Sequence, residues 1–454
     1  MKRLTLLTVS LATLLISSCC FTCRFFKDPE IDKQQFIRDE FGRICIYHGV
    51  NISNFSKHSG DTTGNYLSRG KPDTCWQQPD DFYKMKTWGF NLSRMIWQWE
   101  AIEPQKDQLN KAYIQRQLKR IEWANLYDVQ VIVDIHQDLY AQKFCGNGFP
   151  EWTIRDEGQV FEGCKEPWNL AYLDPAVIAS YDNFWNNDTL QDKYVAMIDS
   201  VFRWVDTISN VIGVDVMNEP IPDLSGKFER VKLTRLYTRI QDLVKAKGYR
   251  KLIVYEPWMS TSTGIPSCLK FEASAGTVYS PHYYDMFVDA QKPYGSANYE
   301  VMKKAIAVKV REAQEFKSPI LYGEFGATPN YLDYLKDLLN EFDRYSVGWT
   351  YYSYDLPQHS AFAFIDENKN PRQTLSVLVR VYPMKIAGNK PVYNTSSNQF
   401  LLSYEKIETN QPTVIFIPEG LTITVETAGK YERSGQYLLY TNTAEIKQSI
   451  KVTF

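Results

Sequence analysis

Two stretches of the chain end an apolar run in a carboxylate. One is Val214-Asp215-Val216-Met217-Asn218-Glu219-Pro220, the other Ile320-Leu321-Tyr322-Gly323-Glu324-Phe325-Gly326. A carboxylate just past an apolar strand is costly to desolvate unless it has partners or a chemical task. A single Glu in that position is as readily a helix cap or an ion-pair partner. Two of them, closing separate strands, are the raw material for acid–base or nucleophilic chemistry on one bound molecule. Arg94 lies inside another apolar run, Asn91-Leu92-Ser93-Arg94, and His282 and Tyr284 follow a further one in Ser280-Pro281-His282-Tyr283-Tyr284. An arginine within an apolar strand is poorly explained as a surface ion pair.

The elements that must carry these residues repeat from about residue 40. Apolar runs occur at Ile44–Asn51, Leu92–Gln98, Val129–His136, Val211–Met217, Leu252–Tyr255, Val278–Tyr284, Ile320–Gly323 and Gly348–Tyr354. Amphipathic segments lie between them. The clearest passes through Leu233, Leu236, Tyr237, Ile240, Leu243 and Val244 and stops at Gly248; others span Tyr299–Phe316 and Tyr331–Phe342. Near-continuous apolar strands alternating with helices predict a parallel sheet covered on both faces, and eight of them predict a (β/α)8 barrel, an α/β fold, with enlarged loops. A doubly wound open sheet is the alternative, but no Gly-x-Gly-x-x-Gly follows the first strand. In a barrel, Glu219 and Glu324 close the fourth and seventh strands, where their carboxyl groups face each other across the mouth.

After about Pro383 the period becomes two. Leu421, Ile423 and Val425 alternate with Thr422 and Thr424, as Ile450, Val452 and Phe454 do with polar neighbours. This predicts a small antiparallel β-sandwich that is too small for a large core of its own and therefore packs on the barrel. The expected division is a signal at 1–18, a tether at 19–36, the barrel at 37–380 and the sandwich at 381–454.

At the N-terminus, Lys2 and Arg3 precede an apolar run from Leu4 to Ile16, which has the length of a secretory signal core and is too short to span a bilayer. It ends in Ile16-Ser17-Ser18-Cys19, which resembles the bacterial lipoprotein box. That resemblance implies export, acylation of Cys19 and a lipid anchor in a bacterial cell membrane, the outer membrane being the expected address; an ordinary secretory signal is the alternative. No later run reaches the roughly 18 apolar residues of a spanning helix. An exported chain keeps disulfides, and Cys145 with Cys164 bracket a loop-like stretch, making them the candidate pair; Cys45 reads as a buried thiol on a strand. No cysteine spacing matches a zinc site, and the 5 His are scattered, so neither metal nor cofactor is expected. Net charge is −2, from 51 Lys+Arg against 53 Asp+Glu, which offers no cationic field for nucleic acid. Aromatic residues make up 14%, a surplus that suits sugar-stacking surfaces as well as a core.

Asn218-Glu219-Pro220 and Gly323-Glu324-Phe325-Gly326 together resemble the acid/base and nucleophile signatures of glycoside hydrolase family 5. The resemblance covers nearly the whole chain. It implies that Glu219 is the general acid/base and Glu324 the nucleophile of a retaining reaction. It further implies that Asn218 binds the sugar 2-hydroxyl, that Arg94 supports the nucleophile, and that Tyr284 donates to it while His282 donates to the sugar.

Longer stretches resemble the endoglycoceramidase branch: Val133-Asp134-Ile135-His136-Gln137-Asp138, Gly146-Asn147-Gly148-Phe149-Pro150-Glu151-Trp152, Tyr181-Asp182-Asn183-Phe184-Trp185-Asn186, and His48-Gly49-Val50-Asn51 with Lys57 nearby. By that resemblance His136, Asp138 and Lys57 hold the first glucose of a glycosphingolipid, although Lys57 reads equally as a solvated loop charge. One departure stands out. Tyr352 occupies the platform under the reacting sugar where the branch carries Trp, and Tyr offers less stacking area. The expected partner is thus a glycosphingolipid. Another β-glucoside, such as glucosylceramide, steryl glucoside or a β-glucan, stays open, as does a non-catalytic glycan-binding lipoprotein.

Overall fold

The computed structural model describes residues 28–52, 77–165, 168–357 and 360–454. The readings made at Cys19 and Lys57 therefore fall outside the described residues. The strands in chain order are β1 (Ile44–Cys45), β2 (His48–Ile52), β3 (Leu92–Trp97), β4 (Gln130–Ile135), β5 (Val211–Asp215), β6 (Leu252–Tyr255), β7 (Thr277–Tyr279), β8 (His282–Tyr283), β9 (Leu321–Tyr322), β10 (Glu324–Phe325) and β11 (Gly348–Tyr351). Eight of them form one parallel sheet in the order β7-β6-β5-β4-β3-β2-β11-β9. A parallel bridge from Tyr279 to Ile320 joins its two ends. The ring is a (β/α)8 barrel, and β2 and β3 are buried along their whole length, as continuous apolar runs require. The helix Thr234–Lys247 ends at Gly248, whose φ of 70° is the left-handed value that favours glycine. Ser296–Phe316 and Leu332–Arg344 are the other two helices expected, the latter burying Leu335, Leu338, Leu339 and Phe342.

Two of the apolar runs break where the sequence suggested continuity. The first divides: Ile44 and Cys45 pair antiparallel with Ile386 and Lys385, and only from His48 does the chain enter the barrel. Ile44 and Ile46 accordingly belong to the core of the C-terminal unit, so the stretch assigned to the barrel from residue 37 includes a strand of the sandwich. Both sheets are apolar inside, and an apolar run does not record which one it enters. The sixth run breaks at Pro281, which has no N–H for the ladder. Past that break β8 pairs with β10 alone, setting His282 beside Glu324 and Tyr283 beside Phe325.

The C-terminal strands are β12 (Tyr382–Ile386), β13 (Gly388–Thr395), β14 (Gln399–Lys406), β15 (Thr413–Phe416), β16 (Thr424–Thr427), β17 (Lys430–Ser434), β18 (Tyr437–Thr441) and β19 (Lys447–Thr453). They form two antiparallel sheets, β1-β12-β15-β18-β17 and β13-β14-β19-β16. Phe400, Leu402, Ile415, Leu438, Ile450 and Val452 fill the space between them. The unit rests on the barrel. Tyr382 donates to the Gly89 carbonyl at 2.6 Å, and His48 is stacked between Tyr382 at 3.6 Å and Trp349 at 4.3 Å. Burial pushes the His48 imidazole well below its ordinary pKa, so it packs there as a neutral ring. Cys145 and Cys164 form a disulfide with Cα atoms 5.6 Å apart. Cys45 is a half-buried thiol on β1, pushed up to about 11 by burial and by Asp39. Among the described residues no helix is long and apolar enough to cross a membrane.

Candidate active site

At the centre of the barrel mouth stands Arg94, fully buried on β3. Its five N–H groups find five acceptors. Nε donates to Asp215 Oδ2 at 3.0 Å; Nη1 donates to Glu324 Oε1 at 2.8 Å and Asn51 Oδ1 at 3.0 Å; Nη2 donates to Glu256 Oε1 at 2.9 Å and Asn218 Oδ1 at 3.0 Å. Asp134 Oδ1 is also 3.0 Å from Nη2. One guanidinium therefore serves Asp134, Asp215, Glu256 and Glu324. Burial works against its charge, but the four carboxylates outweigh burial and raise its pKa further. They are not all equally compensated. Burial, reinforced by Glu256 and opposed by Arg94, pushes Asp215 well above the usual carboxylate range.

Glu324 opens β10, and its two oxygens are held separately: Oε1 by Arg94 and Oε2 by the Tyr284 hydroxyl at 3.0 Å. Two donors on two oxygens are the setting of a carboxylate anion. Gly323 is required here, because a Cβ would lie 2.6 Å from Ser280 Oγ and 2.8 Å from His282 Nε2. Glu219 sits opposite, with its side chain 12% exposed against 2% for Glu324. A carboxylate oxygen of Glu219, a ring nitrogen of His282 and a carboxylate oxygen of Glu324 lie within 4.8 Å of one another. Burial raises the Glu219 pKa and Glu324 and Asp138 add to the rise, while the hydrogen bond and charge of His282 restrain it.

Glu219 has a φ of 38°, in the left-handed region that a non-glycine residue adopts only when its surroundings hold it there. Its N–H donates to Glu256 Oε2 at 2.8 Å, and Gln137 Nε2 donates to the carbonyls of both Asn218 and Glu219 at 2.9 Å. Tyr181 in turn donates to Gln137 Oε1. His282 Nδ1 lies 2.9 Å from Glu219 Oε1, and its Nε2 lies 3.1 Å from Glu256 Oε1. Burial disfavours the charged ring, but Glu256, Glu324 and Glu219 overcome it and push the imidazole well above its ordinary pKa. His282 is thus held as a cation between two carboxylates, hydrogen-bonded to Glu219 through Nδ1 and in ion-pair contact with Glu256 through Nε2.

The remaining residues singled out from sequence divide into two groups. His136 is fully buried, its Nδ1 2.7 Å from Asp134 Oδ2 and its Nε2 3.2 Å from Asp138 Oδ2 and 3.4 Å from Asn218 Nδ2. Asp138 thereby joins the same network, and Tyr352 follows β11 close enough to Tyr284 to influence its titration. Trp152 lies elsewhere: its ring meets Trp99 edge-on and its indole N–H donates to the Glu103 carbonyl at 3.0 Å. Sequence reasoning missed Glu256 and Asn51. Glu256 directly follows the apolar strand Leu252–Tyr255, the same signal that marked Glu219 and Glu324. Asn51 was quoted only as the end of the His48-Gly49-Val50-Asn51 stretch and given no role, whereas it is fully buried and donates to the Gly323 carbonyl at 2.9 Å.

With this geometry in hand, the relatives can be placed. Endoglycoceramidase I of Rhodococcus hoagii is 25% identical over 418 residues, covering 86% of this chain and 80% of that one. The structure of endo-glycoceramidase II from a Rhodococcus species in complex with ganglioside GM3 matches with a TM-score of 0.80 at 22% identity, covering 92% of this chain and 99% of that one. The same enzyme solved as a lactosyl-enzyme intermediate matches at 0.79 with 23% identity over the same shares. Residues 48–356 match the family described as cellulase (glycosyl hydrolase family 5). That span contains Arg94 and its ring of acids, Glu219, His282 and Glu324, and the chain belongs to glycosyl hydrolase family 5.

Proposed function

We propose that this chain is a retaining endoglycosidase that hydrolyses the β-glucosidic bond between the glycan and the ceramide of a glycosphingolipid. The observation that carries the reading is the Glu219–Glu324 pair, whose facing oxygens lie within 4.8 Å. That spacing fits the retaining geometry, in which the carboxyl groups are about 5–5.5 Å apart and one attacks directly. Glu324 adds to the anomeric carbon while protonated Glu219 gives its proton to the departing ceramide oxygen. In the second half Glu219, now a carboxylate, takes a proton from water; the water oxygen bonds to the anomeric carbon and Glu324 leaves. Arg94 and Tyr284 keep Glu324 charged and aimed. Asn218 meets the sugar 2-hydroxyl, Asp138 backed by His136 holds further glucose hydroxyls with Lys57, and Tyr352 forms the platform. The endoglycoceramidase named among the relatives, and the lactosyl-enzyme intermediate of another, support the ceramide-linked substrate.

One observation favours a second reading on a simpler β-glucoside: Tyr352 stands where the branch has Trp, which alters the surface beneath the sugar. Mass spectrometry of the products decides between them. Release of intact glycan plus ceramide from lactosylceramide or a ganglioside is the expected result; activity confined to glucosylceramide or soluble glucans would overturn the first reading. A binding protein without catalysis is disfavoured, since Glu219, Glu324, Asn218, Arg94 and Tyr284 are all present and joined in one network.

We further infer from the motif at Cys19 that the mature protein is exported and lipid-anchored to a bacterial membrane. Cys19→Ala should release it to the soluble fraction after export, and continued membrane retention would contradict lipidation.

A further inference from the structure

We propose that Glu256 is a positioning residue for the acid/base Glu219, holding its backbone with one carboxylate oxygen and, through His282, its side chain with the other. The inference rests on the assignment of Glu219 above. Glu256 follows β6, and its own backbone is fixed at both groups by one side chain: the buried Tyr237 hydroxyl donates to the Glu256 carbonyl at 2.8 Å and accepts from its N–H at 3.3 Å. From that mount Oε2 accepts the Glu219 N–H at 2.8 Å, while Oε1 faces His282 Nε2 at 3.1 Å and Arg94 Nη2 at 2.9 Å. The Glu219 backbone needs such a hold, because its φ of 38° is unfavourable for a residue with a Cβ.

The link through His282 is electrostatic as well as steric. His282 faces Glu256 and Glu219 directly and Glu324 at 3.9 Å; Glu256 faces Arg94, His282 and Asp215. The Glu256 charge favours the imidazolium, and the imidazolium donates to Glu219 Oε1 at 2.9 Å. Burial and Glu324 pull Glu219 toward an acid too weak to give up its proton; the imidazolium opposes them. It also steadies the Glu219 carboxylate left after proton donation, the form that must act as base in the second half of the reaction. Acid–base catalysis is most effective when the proton is neither too tightly nor too loosely held.

Glu256→Gln keeps the shape and removes the charge, so His282 deprotonates more readily and Glu219 loses its cationic neighbour. The test compares kcat/KM for an alkyl β-lactoside, which needs leaving-group protonation, with that for a 2,4-dinitrophenyl β-lactoside, which does not. We expect E256Q to lower the first about 10–100-fold, to change the second less than about 3-fold, and to move the alkaline limb of the alkyl-lactoside profile up by about one pH unit. Equal losses on both substrates with an unmoved alkaline limb would assign Glu256 a structural role only and overturn the proposal. If E256Q does not fold by circular dichroism, Tyr237→Phe, which loosens the mount without changing its bulk, should move the limb in the same direction by less; an unmoved limb there also overturns it. A wild-type protein inactive on both lactosides would instead refute the endoglycosidase reading on which the proposal rests.

Discussion

Two arginines, one buried and one half-buried, serve two different ends of this molecule. At the seam between barrel and sandwich, Arg380 pairs with a single acid, Asp343, and its Nη2 also donates to Asn340 Oδ1 and the Thr395 carbonyl, each at 3.2 Å. At the barrel mouth, Arg94 serves Asp134, Asp215, Glu256 and Glu324. The seam sets one charge against one, although burial, opposed by Arg380, still pushes Asp343 up to about 6. The mouth holds more acid than its cations neutralise, so its proton affinities spread apart. Asp215 and Glu219 rise; Glu256, although its burial works the other way, is drawn below the usual range by His282 and Arg94. A structural pair has no use for such a spread, whereas a site that must hold one carboxyl charged and another protonated depends on it.

The contrast is sharpened by mutations that should affect one arginine's surroundings and not the other's. The largest effect is expected at Glu324→Gln, which should cut turnover by about 10^4-fold or more while leaving substrate binding measurable by calorimetry. A fully active variant would reject Glu324 as nucleophile. Next, Glu219→Ala should cost about 10²–10⁴-fold on glycolipid but little in kcat/KM on activated aryl glycosides, with azide restoring turnover. In the wild type, activity requires protonated Glu219, so it should fall as pH rises through a pKa above that of free glutamate, about 4.3.

Arg94→Met should destabilise the fold by about 3–5 kcal/mol, since it strands several buried acids at once. The sign with pH follows from those acids. Without Arg94 their folded pKa values rise above the unfolded ones, so the missing stability returns as pH falls and is absent at neutral pH. Urea unfolding at pH 5 and pH 7 measures this, and a loss independent of pH would contradict the electrostatic account. The smallest effect on function is expected at the seam. Arg380→Met should cost about 3 kcal/mol, near the lower end for a broken buried pair, and leave kcat unchanged. A fall in kcat there would erase the distinction between the two arginines.

Much of the site was legible because a barrel turns a strand's position in sequence into a place around a ring. Glu219 and Glu324 were recognisable as acids at strand ends, and Arg94 as a charge where an apolar strand has no room for one. Glu256 carries the same signature after Leu252–Tyr255 and escaped notice because it belongs to no quoted motif. Trp152 was quoted only as the end of a stretch resembling the endoglycoceramidase branch, and the structure packs it half-buried against Trp99 of the core. An aromatic ring has the same sequence signature in either place. The first apolar run hid a change of sheet, since Ile44 and Ile46 bury against the sandwich as readily as His48–Ile52 do in the barrel.

The sequence by itself determined the eight-strand alternation, the change to a period of two, the location of two catalytic-type acids at strand ends and the absence of a cationic field. Those are properties of local pattern, set by which residues alternate and which charges an apolar run contains. Only the tertiary structure decided how the acids divide their protons. That division depends on Arg94 having five donors for its many claimants, on the break at Pro281 that brings His282 beside Glu324, and on Glu256 reaching both the backbone and the imidazolium partner of Glu219. Charges separated by tens to hundreds of residues interact only once folding has removed the water between them, and their strengths are then set by distances of about 3 Å that no spacing in the chain encodes.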